Sequence, residues 1–136
     1  ASSTAIPLDD TIPQNTEGSE IVTVTITPKS ATNRLIILAT VDVCALSGAN
    51  DAVIAAIFQD TTANALVASA LQSYGINALI QCPPLLYEMA AGTTLATTFK
   101  LRMGPSGGTL YLNGNNTARY FGGVSAVRIS VFEVTP

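Results

Sequence analysis

The chain has 136 residues, a formal net charge of −3 and no histidine. Only 11% of its residues are charged and 48% are hydrophobic, whereas charged residues make up roughly 25% of an ordinary soluble domain. The absence of histidine excludes Ser-His-Asp and Cys-His catalytic arrangements and imidazole metal sites. The six basic residues are scattered and form no positive stripe of the kind that binds nucleic acid, so we expect no nucleic-acid partner.

The same composition bears on the other partners. No stretch approaches the roughly 18 apolar residues of a transmembrane helix, so we expect no membrane insertion. A surface with so few charges stays soluble best when part of it is buried against copies of the chain, because large bare apolar patches usually mark interfaces. We therefore expect a homo-oligomer of a single domain, which at this length buries a full core without disulfides or metals.

Residues 1–18 differ in pattern from the rest of the chain. They contain Pro7 and Pro13, many polar residues and no alternation. This pattern predicts an extended N-terminal arm, and one place for such an arm is along a neighbouring subunit. The remainder, residues 19–136, predicts one β-sandwich domain.

Residues 34–44, RLIILATVDVC, are the most informative predicted strand. One face is apolar throughout, and the opposite face carries Ile36 and Leu38 before the polar residues Thr40 and Asp42. A strand that is apolar on both faces is normally covered on both. Because no crossover helix is predicted, we expect a second subunit to cover Ile36 and Leu38.

Period-2 alternation predicts most of the other strands. Residues 21–27 place Val22, Val24 and Ile26 on one face, and Pro28 ends this strand because it cannot donate to the ladder. The inward-facing residues predicted for the second half of the chain are Leu95, Thr97, Phe99, Leu101, Met103, Leu110, Leu112, Val127, Ile129 and Val131. The opposite face of the last strand, residues 124–134, carries Ala126, Arg128, Ser130 and Phe132.

Three segments in the middle of the chain are ambiguous. Residues 52–59 favour a strand, although their apolar residues also fit helical spacing. Residues 64–72 fit a helix as well as a strand, because alanine and leucine favour helices. Residues 77–89 are apolar but are interrupted by Pro83 and Pro84, a pair that belongs at a sheet edge, a bulge or a strand end.

The whole pattern predicts an all-β fold. It contains seven or eight short strands, glycine-rich turns, no linker and no internal repeat of about 20–50 residues. A single antiparallel β-sandwich is the fold that this pattern favours. The spacing alone leaves open whether the strands are connected as a jelly roll.

Few residues carry chemistry. Asp9 and Asp10 are adjacent on an extended arm, so their side chains point to opposite sides and make a poor cation site. Glu88 stands in an apolar segment, where we interpret it as a strand residue that faces solvent. Cys44 and Cys82 lack metal-ligand spacing and predict buried thiols, with one disulfide as the alternative. We expect no cofactor and no metal.

The segment TARYFGG, residues 117–123, precedes the last strand. Aromatic faces beside an arginine suit carbohydrate recognition, but we favour a plug at one end of the sandwich or a subunit contact. The loops at residues 47–51, 73–77 and 114–120 are the candidate recognition loops. The surface residues that we predict for recognition are Tyr74, Asn115, Arg119 and Tyr120.

Four stretches carry a resemblance to a known group. They are DDTIPQNTEG (residues 9–18), TITPKSATNRLII (25–37), AGTTLATTFKLRMGPSGGTLYLNG (91–114) and RYFGGVSAVRISVFEV (119–134). The chain resembles the small β-rich virion proteins and tail-fibre-type domains of tailed bacteriophages. This resemblance implies a jelly-roll sandwich, commonly trimeric and displayed on fibres, spikes or capsid surfaces. It supplies no site residue.

Residues and resemblance together lead to a structural protein that is not an enzyme and lies on the surface of a virion. Its expected partners are its own copies, as a homotrimer, and other virion proteins. The residues expected at the subunit interface are Ile36, Leu38, Ala126 and Phe132. The alternative is a carbohydrate-binding module at a tail-fibre tip that recognises host surface glycans. A third hypothesis, a depolymerase with an unrecognised carboxylate pair, would involve Glu88 or Asp42.

Overall fold

The computed structural model describes residues 1–76, the backbone of residues 79–80, and residues 84–136. Within these ranges it contains ten β-strands, one short 3₁₀ turn at Phe121–Gly123 and no α-helix. The strands are β1 (Ser19–Ile26), β2 (Arg34–Val41), β3 (Cys44–Leu46), β4 (Ala52–Gln59), β5 (Val67–Gln72), β6 (Leu79–Ile80), β7 (Leu85–Ala90), β8 (Thr97–Pro105), β9 (Leu110–Leu112) and β10 (Val127–Val134). Cys82 and the predicted loop position Asn77 lie outside the described residues.

The strands form antiparallel sheets that pack as a sandwich, which confirms the predicted fold class. One sheet has four strands in the order β1-β8-β4-β5, and the other has three in the order β10-β2-β7. A small sheet, β6-β3-β9, extends the second one, because β3 follows β2 directly after Asp42 and Val43. β6 pairs with β3 in the register that β7 has with β2, so β9 lies on the side of β10.

The core lies between the two sheets and consists of the residues that alternation placed inward. In β2 the inward residues Leu35 and Ile37 are fully buried, as are Phe99, Leu101 and Met103 in β8. They pack with Val53, Ala55 and Ile57 of β4 into one cluster. The inward residues predicted for β1 and β10 pack against this cluster. The faces predicted for β1, β2 and β10, and for β8 from Thr97 onwards, are therefore confirmed.

Leu95 is a correction, because the sequence placed it in the core and its side chain is 74% exposed. β8 begins only at Thr97, which is buried. Leu95 lies in the preceding turn, where its backbone N–H donates to the Thr93 hydroxyl over 3.0 Å. The alternation of the strand therefore does not extend to Leu95.

The ambiguous segments 52–59 and 64–72 both contain strands. β4 is buried on both faces along seven of its eight residues. Its inner face joins the core, whereas Ala52 and Ile54 on its outer face pack against Ile6 of the arm. A strand with two apolar faces has no period-2 signal, and this explains why the sequence left a helix possible.

The arm is bound along the outside of its own four-stranded sheet. The Ile6 side chain is fully buried, and its N–H donates to the Pro105 carbonyl over 3.1 Å. Ser2 and Leu110 exchange two backbone hydrogen bonds of 2.8 Å, so the start of the arm pairs with the free edge of β9. The arm thus covers β4 within one chain.

Candidate functional site

The outer face of the β10-β2-β7 sheet carries a contiguous apolar patch. In the strand register, Ile36 lies opposite Phe132 on β10, and Leu38 lies opposite Leu86 on β7. Phe132 is 54% exposed and Leu86 is 61% exposed, while Ile36 and Leu38 at the centre are partly buried. We call Ile36, Leu38, Leu86 and Phe132 the apolar patch.

The structure brings together three of the four residues that the sequence predicted for the interface. Ile36, Leu38 and Phe132 are neighbours in the patch, whereas Ala126 lies towards the other end of the same face, where β10 begins. Leu86 is the residue that sequence reasoning missed. Its signal was its spacing of two residues from Glu88, which places Leu86 on the same solvent face as Glu88. The prolines before this segment obscured this pattern.

Ion pairs neutralise the charges around the patch. Arg34 and Glu88 contact each other at 3.1 Å. Arg128 and Asp42 contact each other at 2.9 Å. Exposed pairs of this kind contribute little to stability, about 0–1 kcal/mol. Their effect on the surface is that no unpaired charge borders the apolar patch on these two sides.

Asp42 also fixes the start of β10. Its Oδ2 accepts the Ala126 backbone N–H at 2.9 Å, and its own N–H donates to the Ala126 carbonyl at 3.3 Å. The pKa of Asp42 lies below its ordinary value, mainly because its carboxylate accepts the Ala126 N–H and next because it accepts a hydrogen bond from Arg128. A carboxylate held in this way acts as a structural acceptor.

Three of the predicted recognition residues meet in one loop between β9 and β10. We call residues 114–125 the Phe121 loop. Asn115 organises it, because its Oδ1 accepts hydrogen bonds from the Thr117 N–H, the Thr117 hydroxyl and the Ala118 N–H, each 2.9 Å long. Its Nδ2 donates to the Tyr120 hydroxyl at 2.7 Å. This Asn115 side chain is occupied with its own loop.

The far side of the loop presents apolar side chains to solvent. Phe121 is 69% exposed and Val124 is 77% exposed. Phe121, Gly122 and Gly123 have φ angles of 53°, 57° and 100°. A positive φ is rare for a bulky residue and marks local strain. Arg119 is exposed, and its guanidinium lies so close to Gly123 that a Cβ there would collide with it.

Tyr74 stands apart from these residues. It is 83% exposed and follows β5 on a different loop. Among the described residues, no hydrogen bond connects Tyr74 to the Phe121 loop. The structure therefore groups Asn115, Arg119 and Tyr120, and leaves Tyr74 as a separate exposed aromatic residue.

The carboxylates named for the depolymerase hypothesis are far apart. Glu88 lies opposite Ile36, and Ile36 and Asp42 are separated by a strand length of about 20 Å. Glycosidase carboxyl groups lie about 5–9.5 Å apart, so this pair does not have the required geometry.

Within the described ranges, no group of three His, Cys, Asp or Glu residues is placed to hold a metal ion, and no helix is long and apolar enough to cross a membrane.

Comparison with protein-family models finds no match, and comparison with curated proteins finds none either.

Proposed function

We propose that this chain is a structural protein of a tailed-bacteriophage virion, which assembles with its own copies into a fibre head, spike or capsid decoration on the particle surface. The observation that carries the assembly is the exposed apolar patch on the β10-β2-β7 sheet. The resemblance of the sequence supplies the virion and the trimer. The proposed role is architectural, with other virion proteins as further partners.

The strand order supports the jelly-roll part of the proposal. A jelly roll has two four-stranded sheets made from two Greek keys. The order β1-β8-β4-β5 gives one such sheet, and β10-β2-β7 gives three strands of the other. Ser2 pairs with the free edge of β9 on the side of β10. The arm thus begins where a fourth strand of the second sheet would lie.

The size of the patch indicates what assembly needs. Full burial of a leucine, isoleucine or phenylalanine side chain contributes about 1.5–3 kcal/mol. The four patch residues are already half covered, so one patch supplies roughly 3–6 kcal/mol. Association costs about 4–15 kcal/mol in lost freedom of motion. The patch therefore supports oligomerisation when it is buried together with other contacts.

Light scattering over a range of protein concentrations and salt tests this proposal. We expect an oligomer that high salt leaves intact, because screening weakens charge contacts far more than apolar ones. Phe132→Lys and Leu86→Lys should each lower the association constant at least about tenfold, because each buries an unpaired ammonium group. Leu95→Lys is the matched control, since Leu95 is even more exposed than Leu86 and Phe132 and lies away from the patch. A chain that stays monomeric at all concentrations contradicts the proposal.

The second candidate function is recognition of host surface glycans by the Phe121 loop. The observation that favours it is the placement of Tyr120 and Phe121, with ring centroids 6.3 Å apart, beside an exposed arginine. A glycan array with the assembled protein tests it, and Tyr120→Ala should abolish any binding that is found. Equal, weak signals across all glycans would argue against this function.

A further inference from the structure

We propose that the Phe121 loop of one copy docks on the apolar patch of a second copy. This inference rests on the proposed oligomer and specifies its contact. Within one chain, Phe121, Phe132 and Leu86 all remain more than half exposed. The loop therefore does not cover the patch of its own chain, and each surface is free for a neighbouring subunit.

The loop is built to present its apolar tip without much further ordering. The three hydrogen bonds accepted by Asn115 and the backbone pairing of Gly114 with Arg119 hold its base. Phe121, Gly122 and Gly123, which all have positive φ angles, form the turn that exposes the Phe121 ring. Side chains held in the binding conformation lose less entropy when they dock. Strained backbone at a bulky exposed residue is a feature of binding sites.

Charge complementarity favours a second copy as the occupant. Arg119 is exposed and makes no ion pair among the described residues. Glu88 borders the patch, and its Oε2 lies 3.1 Å from Nη2 of Arg34. The second carboxylate oxygen of Glu88 can accept Arg119 of the neighbour while Phe121 covers Leu86 and Phe132. The apolar tip and its adjacent arginine thus match an apolar patch whose adjacent carboxylate, already paired with Arg34, would be shared between two arginines.

The contact joins two different surfaces of the same chain, so it is heterologous. Such contacts generate rings when the rotation between neighbours closes. The loop leaves the β9/β10 side of the sheet whose outer face carries the patch. Each subunit then receives one loop and supplies one, as in a closed cyclic assembly. This adds Phe121 and Val124 to the apolar area that the patch alone provides.

Photo-crosslinking tests the contact directly. Phe121 is replaced by the photoreactive analogue p-benzoylphenylalanine in full-length protein, which is mixed with unmodified protein carrying a heavy isotope and then irradiated. We expect cross-links from position 121 to heavy peptides that contain Leu86 or Phe132. If the protein is assembled but position 121 cross-links only to its own chain or to other surfaces, the docking contact is wrong. The proposed oligomer is not contradicted by that result. A protein that light scattering shows to be monomeric overturns both.

Two sets of variants separate docking from folding. Phe121→Gly removes the ring and suits a φ of 53°, so the loop should keep its fold while association falls at least about tenfold. Leu95→Ala is the control for loss of an exposed apolar side chain. Arg119→Glu should weaken association more than Arg119→Gln, because it places a second carboxylate against Glu88 in addition to removing the arginine. Unchanged association of Phe121→Gly, or equal association of Arg119→Glu and the parent protein, contradicts the contact.

Discussion

Ile6 of the arm lies across Gly104 of β8, at a distance that leaves no room for a side chain. A Cβ on Gly104 would lie 2.5 Å from the Thr4 carbonyl oxygen and 3.0 Å from the Ile6 nitrogen. Gly18 leaves room for Ile6 in the same way, since a Cβ on Gly18 would lie 2.8 Å from the Ile6 side chain. The close approach of the arm to the sheet therefore depends on these two glycines.

Gly104→Ala should lift the arm from the sheet. The atom that a methyl group meets is backbone oxygen, which cannot rotate away, so we expect a loss of about 1–3 kcal/mol in the free energy of unfolding. Urea denaturation measures this loss, and limited proteolysis should cut residues 1–18 faster than in the parent protein. Equal protease resistance of the two proteins would show that the arm is held elsewhere.

The buried Ile6 side chain should contribute more to the free energy of unfolding than the exposed Leu8 side chain on the same arm. Ile6→Ala should cost about 2–4 kcal/mol, because Ile6 is fully buried and its loss leaves a cavity. Leu8→Ala is the control on the same arm, since Leu8 is 58% exposed and should stay within about 0.5 kcal/mol. Equal losses of stability in the two variants would contradict the claim that Ile6 holds the arm on the sheet.

Glu133 should make stability depend on pH. Its Oε1 accepts hydrogen bonds from the Asn33 amide at 2.7 Å, the Lys29 N–H at 2.7 Å and the Ser30 N–H at 3.3 Å. The Asn33 amide is the largest cause that lowers the pKa of Glu133 below its ordinary value of 4.5. Because the folded pKa is depressed, this stabilisation is complete above the ordinary pKa and is lost as pH falls through the folded pKa.

Thermal denaturation from about pH 7 to about pH 3 measures this dependence. Glu133→Gln should be less stable than the parent near neutral pH, and the difference should shrink as the parent carboxylate is protonated. Thr23→Ala on the exposed face of β1 is the control, with an unchanged dependence on pH. A constant difference between Glu133→Gln and the parent over this range would exclude the carboxylate as the cause.

The boundary of β8 can be tested by a pair of substitutions. Phe99→Ala should cost about 3–5 kcal/mol, because the ring is fully buried in the core. Leu95→Ala should change stability by less than about 0.5 kcal/mol, although alternation placed both residues on the same face. Chemical denaturation compares the two, and a large loss for Leu95→Ala would place this residue inside the core after all.

Asn115 should control the order of the Phe121 loop. Asn115→Ala removes the acceptor of three hydrogen bonds, so the Thr117 and Ala118 amides should exchange with solvent at least about tenfold faster. Asn115→Asp keeps the acceptor oxygen and should preserve their protection. Hydrogen exchange followed by NMR measures both variants. Equal protection in the alanine and aspartate variants would mean that the backbone alone holds the turn.

The sequence by itself determined the strands that have one apolar and one polar face. In β1 and β10 successive side chains alternate between the core and the solvent, so period 2 gave the inward residues directly. It also placed Ile36, Leu38 and Phe132 outward, which is the larger part of the apolar patch. These predictions succeeded because the orientation of a side chain in a strand depends only on its position in the strand.

Only the tertiary structure decided which strands are neighbours and what covers their second faces. β4 is apolar from Ala52 to Phe58. Its identity as a buried strand depends on Ile6, which lies far away in the sequence and packs on its outer face. Leu86 became part of the patch because β7 pairs with β2 in the register that sets it opposite Leu38. Local alternation contains no information about such pairing, since register is fixed by contacts between segments distant in the chain.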